Sequence, residues 1–152
     1  RLIGGRRLES PNNIDTRPTT LMVREAIFNI LRNTVENSNW LDLFSGTGSI
    51  SCEAYNHGAK KIVAIEKNKN NSRICLKNLY SLQNIVNRKN DIEVICKDVL
   101  IWTKPNTERN ISSKNDFNKI KFDFIYLDPP YKSNYHELVL YQIFKVQINY
   151  IN

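Results

Sequence analysis

The sequence predicts an α/β fold with a mostly parallel sheet and helices on both faces of that sheet. From residue 40 onward, apolar runs of strand length alternate with segments of helical periodicity. A turn that contains two glycines joins the first apolar run to a helix. Each of the three later runs ends at or close to an acidic residue. The length of 152 residues predicts one domain, with residues 1–39 in front of a core of residues 40–152.

The first 39 residues are predicted to form a hairpin and a helix. Gly4 and Gly5 separate two short stretches, which is typical of a hairpin whose second strand carries Arg6 and Arg7. After a polar loop, five apolar residues have the spacing of one buried helix face. They are Val23, Ala26, Ile27, Ile30 and Leu31. On this prediction Arg24 faces away from the core.

The core is predicted to begin with a strand at residues 40–44, which is apolar except for Asp42. A turn at residues 45–48 and a helix at about residues 49–57 follow. Gly46 and Gly48 permit a tight turn and let a ligand approach the backbone where a Cβ would collide. A strand, a glycine turn and a helix in this order favour a nucleotide-binding site.

Three further strands and two further helices complete the predicted core. The strands are at residues 61–65, 92–96 and 122–127, and the helices are at about residues 68–82 and 135–145. Between the third and fourth strands, residues 104–121 are polar and rich in Asn, Ser and Lys. We expect this segment to be a flexible surface insertion.

Four residues that can bind a ligand follow the predicted strands. They are Gly46, Glu66, Asp98 and Asp128. Right-handed crossovers place the carboxyl ends of parallel strands at one edge, so we expect these residues to share the rim where such folds bind ligands. Glu66 follows Gly46 by 20 residues, the spacing at which a carboxylate accepts from ribose hydroxyls. A dinucleotide site prefers a third glycine, where this chain has Ser51. S-adenosylmethionine, which has a ribose but no phosphate, is therefore favoured over NAD.

The last predicted strand runs into Asp128, Pro129, Pro130 and Tyr131. The prolines fix φ and donate no hydrogen bond, so the Asp128 carboxylate and the adjacent carbonyls can accept from a ligand. Tyr131 offers a flat ring for stacking. An amine on a nucleobase has the matching features, namely two N–H donors and a ring. The loop therefore predicts an amine-bearing base as the acceptor.

Composition restricts the partners and the compartment. A net charge of +7 and a pI near 9.4 favour a polyanionic partner, with nucleic acid as the first candidate. No apolar run approaches the roughly 20 residues of a membrane span, and the first ten residues lack the apolar segment of a signal peptide. The three cysteines, His57 and His136 lack disulfide or metal-ligand spacing. These features predict a cytoplasmic protein without a metal.

Two groups of motifs resemble a known family. Residues 42–48 (DLFSGTG) with residues 128–131 (DPPY) resemble a class I S-adenosylmethionine-dependent amino-methyltransferase. Residues 17–20 (RPTT) followed by residues 23–29 (VREAIFN) resemble the RsmD family of small-subunit rRNA guanine-N2 methyltransferases. The resemblance runs from Leu2 to about residue 140 and implies a Rossmann-like class I methyltransferase fold.

The resemblance also implies a role for each site residue. Glu66 would hold the cofactor ribose, Asp98 and the Val99 amide the adenine, and the turn at Gly46 the methionine part. The complete cofactor set is Asp42, Phe44, Gly46, Thr47, Gly48, Glu66, Lys67, Asp98 and Val99. The target guanine is expected at Asp128, Pro129, Pro130 and Tyr131. Arg17 and Thr19 would border the same site and contact RNA. Arg6 and Arg7 are expected to contact RNA because they are the basic side chains of the predicted hairpin.

Two other functions stay open on the sequence alone. A DNA amino-methyltransferase uses a similar DPPY loop, whereas residues 17–29 favour rRNA. A non-catalytic RNA-binding module is the alternative outside the enzymes, and the intact set of Gly46 and three acids argues against it. On the favoured interpretation, a monomer acts on rRNA or on an assembling small ribosomal subunit. Few residues follow Tyr131, so we expect the C-terminal strands of the family to be missing from this chain.

Overall fold

The computed structural model describes residues 2–3, 6–10, 21–86, 90–104, 121–130 and 134–148. The strands are β1 (Leu2–Ile3), β2 (Arg6–Arg7), β3 (Asn39–Leu43), β4 (Lys61–Glu66), β5 (Asp91–Cys96) and β6 (Phe124–Leu127). The helices are α1 (Leu21–Ile30), α2 (Ser49–Asn56), α3 (Lys69–Val86), α4 (Val99–Trp102) and α5 (Tyr135–Ile148). The alternation of strands and helices predicted for the core is confirmed.

The central sheet has four parallel strands in the order β5, β4, β3, β6. The chain moves outward from β3 through β4 to β5 and then returns to the other side of β3 as β6. All four carboxyl ends therefore lie on one edge, as predicted. β4 and β6 lie on opposite sides of β3, so the direction in which successive strands are added reverses at β3. Open α/β sheets bind their ligands at such a point.

Alternating side chains of the strands form two cores, one on each face of the sheet. Trp40 and Ile62 lie in one core with buried side chains of α1, α2 and α3. Leu41 and Val63 lie in the other core with buried side chains of α4 and α5. The prediction of helices on both faces is thus confirmed. Asp42 points to the first face, because it follows the buried Leu41 of the second.

The N-terminal pair of strands also forms as predicted. β1 and β2 are antiparallel, with Leu2 opposite Arg7 and Ile3 opposite Arg6. Further along the chain, Asn68 caps α3 because its side-chain oxygen accepts from the backbone amides of Asn70 and Asn71 at 2.9 and 3.0 Å. This helix runs to Val86, four residues past the predicted end.

Helix α1 forms, and Ile27 and Leu31 pack against the core as predicted. The rest of its buried face differs from the prediction. Phe28 is 2% exposed and Arg24 is 6% exposed, whereas Val23 and Ile30 are 47% and 83% exposed. The prediction that Arg24 faces away from the core is therefore wrong. The Phe28 ring stacks on the Trp40 ring with centroids 5.4 Å apart, and the burial of this aromatic pair decides which face of the helix turns inward.

Some predictions fall on residues that the structure does not describe. They are the insertion, of which residues 105–120 lie outside the description, and the site residues Arg17, Thr19 and Tyr131. For Arg6 and Arg7 only the backbone in β2 is described. The roles given to these residues stay predictions.

Candidate functional site at the carboxyl edge of the sheet

The turn after β3 is built from left-handed residues. Phe44, Gly46 and Gly48 have φ angles of 65°, 55° and 80°. A positive φ is strained for a bulky side chain, and such strain is found most often at functional sites. Within the turn, the Gly48 amide donates to the Ser45 carbonyl at 2.8 Å, and the Ser45 amide donates to the Ile65 carbonyl of β4 at 3.0 Å. The turn is therefore held against the neighbouring strand.

The two glycines of this turn serve different purposes. A Cβ on Gly48 would lie 2.5 Å from the Cys75 sulfur of α3, so this position needs glycine for packing. A Cβ on Gly46 would have no neighbouring heavy atom within 4 Å. Gly46 therefore borders open space at the carboxyl edge, where a ligand can approach the backbone.

Glu66 joins this turn to the end of β4. One carboxylate oxygen accepts from the Gly46 amide at 2.9 Å, and the other accepts from the Asn68 amide at 2.7 Å. The two bonds fix the orientation of the carboxylate between the turn and the start of α3. Each carboxylate oxygen has a further lone pair, so the group can still accept from a pair of ligand hydroxyls.

Asp42 lies beneath the turn and is 1% exposed. The Ser51 hydroxyl of α2 donates to it at 2.5 Å. Burial raises the pKa of Asp42 from 3.8 to about 7; the hydrogen bonds from Ser51 oppose this rise, and the charges of Asp128 and Glu66 add to it. Direct contact between Asp42 and a cofactor stays a prediction, because the carboxyl is covered on the side of α2.

Asp98 and Lys67 extend the site along β4 and β5. One Asp98 oxygen caps α4 by accepting from the Leu100 amide at 2.9 Å. The other lies 4.0 Å from the Lys67 nitrogen. Val99, the first residue of α4, is buried. The first amides of a helix have no acceptor within the helix, so the Val99 amide is suited to a ligand acceptor.

Tyr135 connects this side of the site to helix α5. Its ring lies 5.4 Å from the Phe44 ring, and the Lys67 nitrogen lies 5.8 Å from the centre of the same ring. Tyr135 is not among the site residues predicted from the sequence. Its place at the start of a helix seven residues after Asp128 was the available signal, because that helix had to begin near the same edge.

Asp128 follows β6 on the opposite side of the turn and is exposed. The Tyr126 hydroxyl donates to its carboxylate at 3.4 Å. Pro129 is buried and Pro130 is exposed. Tyr126 was also missed, although the period of two in a strand places it on the same side as Asp128.

The described residues of the predicted cofactor site, together with Asp128, thus lie at one edge, where four strands end. Glu66 and Gly46 are in direct contact, and Lys67 lies between Asp98 and Tyr135. Asp128 is close enough to Asp42 for its charge to raise the pKa of that carboxyl. The arrangement presents a turn and a carboxylate suited to a nucleoside on one side and an exposed acceptor loop on the other.

Three further features of the described part of the chain bear on function, namely the cysteines, the potential metal ligands and the apolar character of the helices. Cys52, Cys75 and Cys96 are not disulfide-bonded. Burial raises the pKa of Cys75 to about 12, so the thiol beneath the turn stays protonated and unreactive. Among the described residues, no three His, Cys, Asp or Glu side chains are grouped as a metal site. No helix found in these residues has both the length and the apolar character that crossing a membrane requires.

Comparison with solved structures identifies the class of fold. The structure of a putative methyltransferase, yhhF, from Escherichia coli matches with a TM-score of 0.69 and 24% identity over 91% of this chain and 66% of that chain. A putative methylase, HI0767, from Haemophilus influenzae matches with a TM-score of 0.61 and 29% identity over 82% of this chain and 69% of that chain. The fold is that of the class I methyltransferases.

Sequence comparison then identifies the family. The model of the family described as Conserved hypothetical protein 95 matches residues 2–148. Ribosomal RNA small subunit methyltransferase D of Haemophilus influenzae is 33% identical over 88% of this chain and 62% of its own length. The protein of the same name from Buchnera aphidicola is 32% identical over 84% of this chain and 58% of its own length. The chain belongs to this family, and the resemblance to the RsmD family is confirmed. This chain spans about three fifths of the length of these two relatives.

Proposed function

We propose that this chain transfers a methyl group from S-adenosylmethionine to the exocyclic N2 amine of a guanine in small-subunit rRNA. One observation carries the proposal. Glu66 holds the glycine turn on one side of β3, and Asp128 is exposed on the other side, so a nucleoside cofactor and an acceptor base can meet at one edge. The relatives named ribosomal RNA small subunit methyltransferase D support rRNA as the substrate class.

The residues present fit S-adenosylmethionine. The open space beside Gly46 admits a ligand close to the backbone, and the fixed Glu66 carboxylate suits two vicinal ribose hydroxyls. Asp98 and the Val99 amide lie at the end of the next strand, at the place expected for an adenine. When bound, the cofactor would supply a methyl group on a positively charged sulfonium. The acids at this edge provide a negative environment suited to that charge.

The acceptor side is proposed to act on the amine of the base. Accepting one N–H at the Asp128 carboxylate and the other at the Pro129 carbonyl would draw the nitrogen toward tetrahedral geometry and free its lone pair. Tyr131 would stack on the base, which contributes about 1–3 kcal/mol. A base within a helix must first be turned out, at a cost of a few kcal/mol. The Tyr126 hydroxyl would keep the carboxylate aimed at the base.

The remaining proposals concern the setting of the reaction. We propose that the substrate is rRNA or an assembling small ribosomal subunit and that the protein acts in the cytoplasm as a monomer. Arg6, Arg7, Arg17 and Thr19 are proposed to contact the RNA. No metal is proposed, because methyl transfer from a sulfonium requires alignment of the two reactants above all, and alignment can lower a barrier by about 7–11 kcal/mol.

Variants of Asp128 test the proposal. Asp128→Ala removes only an acceptor for the amine, so we expect it to abolish methyl transfer while cofactor affinity stays within a few-fold. Asp128→Asn should retain part of the activity, because its amide oxygen accepts one N–H less strongly than a carboxylate. Glu36→Ala, a change at an exposed acid between α1 and β3, is the matched control and should have wild-type activity. Single-turnover transfer to small ribosomal subunits from a strain lacking the gene measures activity, and calorimetry with S-adenosylhomocysteine measures cofactor affinity.

Two further variants separate the ring of Tyr131 from its hydroxyl. Tyr131→Phe should matter little because stacking needs only the ring, whereas Tyr131→Ala should raise the KM for the RNA substrate.

Wild-type transfer rates in Asp128→Ala, or loss of its cofactor binding, would show that the loop is not the base-binding site. Binding of NAD without any binding of S-adenosylhomocysteine would overturn the assignment of the cofactor.

A further inference from the structure

Asn78 of α3 connects two segments that are far apart in the sequence. Its side-chain oxygen accepts from the Glu9 amide at 2.9 Å. Its side-chain nitrogen donates to the Glu9 carbonyl at 3.1 Å and to the Thr47 carbonyl at 3.0 Å. Glu9 follows the basic strand β2, and Thr47 lies in the glycine turn. One amide group therefore holds both segments.

The position of Asn78 in its helix is unusual for a polar residue. It is 3% exposed and lies within the apolar stripe of α3, which consists of Cys75, Leu79 and Leu82. A buried amide is costly unless it is hydrogen-bonded, and here both of its N–H groups and one oxygen lone pair have partners. Only an amide side chain of this length supplies two donors and an acceptor together, since aspartate has no donor and leucine has neither.

Other contacts support the attachment of the N-terminal segment at this point. Leu8 packs against the core that contains α3, and the Lys77 nitrogen lies 2.6 Å from the Glu9 carboxylate. The ion pair is exposed on both sides, and exposed pairs contribute little. The Asn78 amide is therefore the buried, geometrically specific part of the attachment.

We infer that Asn78 is a positioning residue that holds the basic N-terminal strand in place relative to the cofactor turn, so that binding at the turn and RNA binding strengthen each other. The inference rests on the proposed function. A ligand beside Gly46 restricts the turn, and an ordered Thr47 carbonyl favours the side-chain orientation that also holds Glu9. Such coupling between two binding sites is reciprocal and typically amounts to about 5-fold or more in affinity.

The measurement is the affinity for a fluorescently labelled small-subunit rRNA transcript, without and with saturating S-adenosylhomocysteine. The ratio of the two dissociation constants reports the coupling. We expect a ratio of about 5 or more for the wild-type protein. A residue that only stabilises the fold changes stability or both dissociation constants, but it leaves this ratio unchanged.

Substitutions at Glu9 give a matched pair that leaves the helix intact. Glu9→Pro deletes the N–H that donates to Asn78, whereas Glu9→Ala removes the same carboxylate and keeps that N–H. We expect a ratio between 1 and the wild-type value for Glu9→Pro, because the Asn78 nitrogen keeps the Glu9 carbonyl as a partner, and the wild-type ratio for Glu9→Ala. Asn78→Asp, which loses both donors, should give a ratio near 1. Asn84→Asp, at an exposed position of the same helix, is its control and should keep the wild-type ratio.

The outcomes separate this inference from the proposed function. Binding of S-adenosylhomocysteine to the wild-type protein tests the proposed function by itself, and its absence would remove both proposals. If the cofactor product binds but the wild-type ratio is 1, the inference is wrong and the proposed function stands. Equal ratios for Glu9→Pro and Glu9→Ala would likewise contradict the inference alone.

Discussion

Gly48 is needed for packing in the turn after β3, whereas Gly46 borders open space. A pair of alanine substitutions distinguishes these two roles. Gly48→Ala combines a strained φ of 80° with a Cβ 2.5 Å from the Cys75 sulfur. Overpacking of this kind costs about 1–3 kcal/mol, in addition to about 1–2 kcal/mol for the left-handed backbone. Gly46→Ala meets no atom within 4 Å, so only the backbone cost applies. Urea unfolding should therefore show the larger loss of stability for Gly48→Ala.

The same pair distinguishes packing from ligand binding. The added Cβ of Gly46→Ala would enter the open space proposed for the cofactor, so its affinity for S-adenosylhomocysteine should fall although the protein stays folded. Calorimetry on the folded variant measures this. An unchanged affinity in Gly46→Ala would place the cofactor elsewhere along the rim.

Asp42 should make stability depend on pH in a defined direction. Its folded pKa of about 7 lies above the ordinary 3.8, so the folded state holds the proton more tightly than the unfolded state does. The resulting stabilisation is complete below about pH 3.8 and is lost as the pH rises to about 7. Relative to wild type, Asp42→Asn should thus gain up to about 1.4 kcal/mol per pH unit in this window.

Ser51→Ala provides a second measurement of the Asp42 effect. Ser51 donates to Asp42, which lowers the folded pKa of the carboxyl, so its loss should raise the upper end of the pH window and leave the lower end unchanged. Urea unfolding of the wild-type protein and both variants between pH 4 and pH 8 records the curves. Parallel curves for wild type and Asp42→Asn would show that Asp42 has an ordinary pKa.

Helix α1 buries Phe28, whereas Ile30, which was predicted to lie in the core, is exposed. Phe28→Ala should cost about 3–5 kcal/mol, because it removes a ring stacked on Trp40. Ile30→Ala should change the free energy of unfolding by less than about 0.5 kcal/mol, because Ile30 is 83% exposed. Denaturant unfolding checks both values, and a larger loss for Ile30→Ala would restore the face predicted from periodicity.

This helix shows where sequence reasoning reaches its limit. Strand positions, the glycine turn and the acids at the strand ends were predictable, because continuous apolar runs and the geometry of parallel sheets fix them locally. The buried face of α1 depends instead on a ring contact with Trp40, which lies in another element. The roles of Asn78 and Tyr135 depend in the same way on partners distant in sequence, and periodicity carries no information about such partners.

In the proposed function, the two sides of β3 bind two different ligands. β4 and β5 provide Glu66 and Asp98 on one side, and β6 provides Asp128 on the other. The glycine turn follows β3 and therefore lies between them. On the proposed cofactor side, α3 begins close to this rim, and we expect its first turns to meet a large substrate.

The net charge of +7 should act on RNA through its phosphates rather than through its bases. Lys69 and Arg73 are exposed one turn apart near the start of α3, beside the rim, whereas Arg32 is exposed between α1 and β3 at the opposite edge of the sheet. If Arg73 neutralises a phosphate, Arg73→Gln should reduce the slope of log K against log salt by about 0.9 for a duplex or about 0.7 for a single strand. Arg32→Gln removes the same charge and should leave the slope unchanged.

Anisotropy titrations with a small-subunit rRNA transcript at several salt concentrations give the slopes. Equal slopes for the two variants would exclude Arg73 from the RNA-binding surface, and a flat wild-type plot would mean that the basic composition does not serve RNA binding at all.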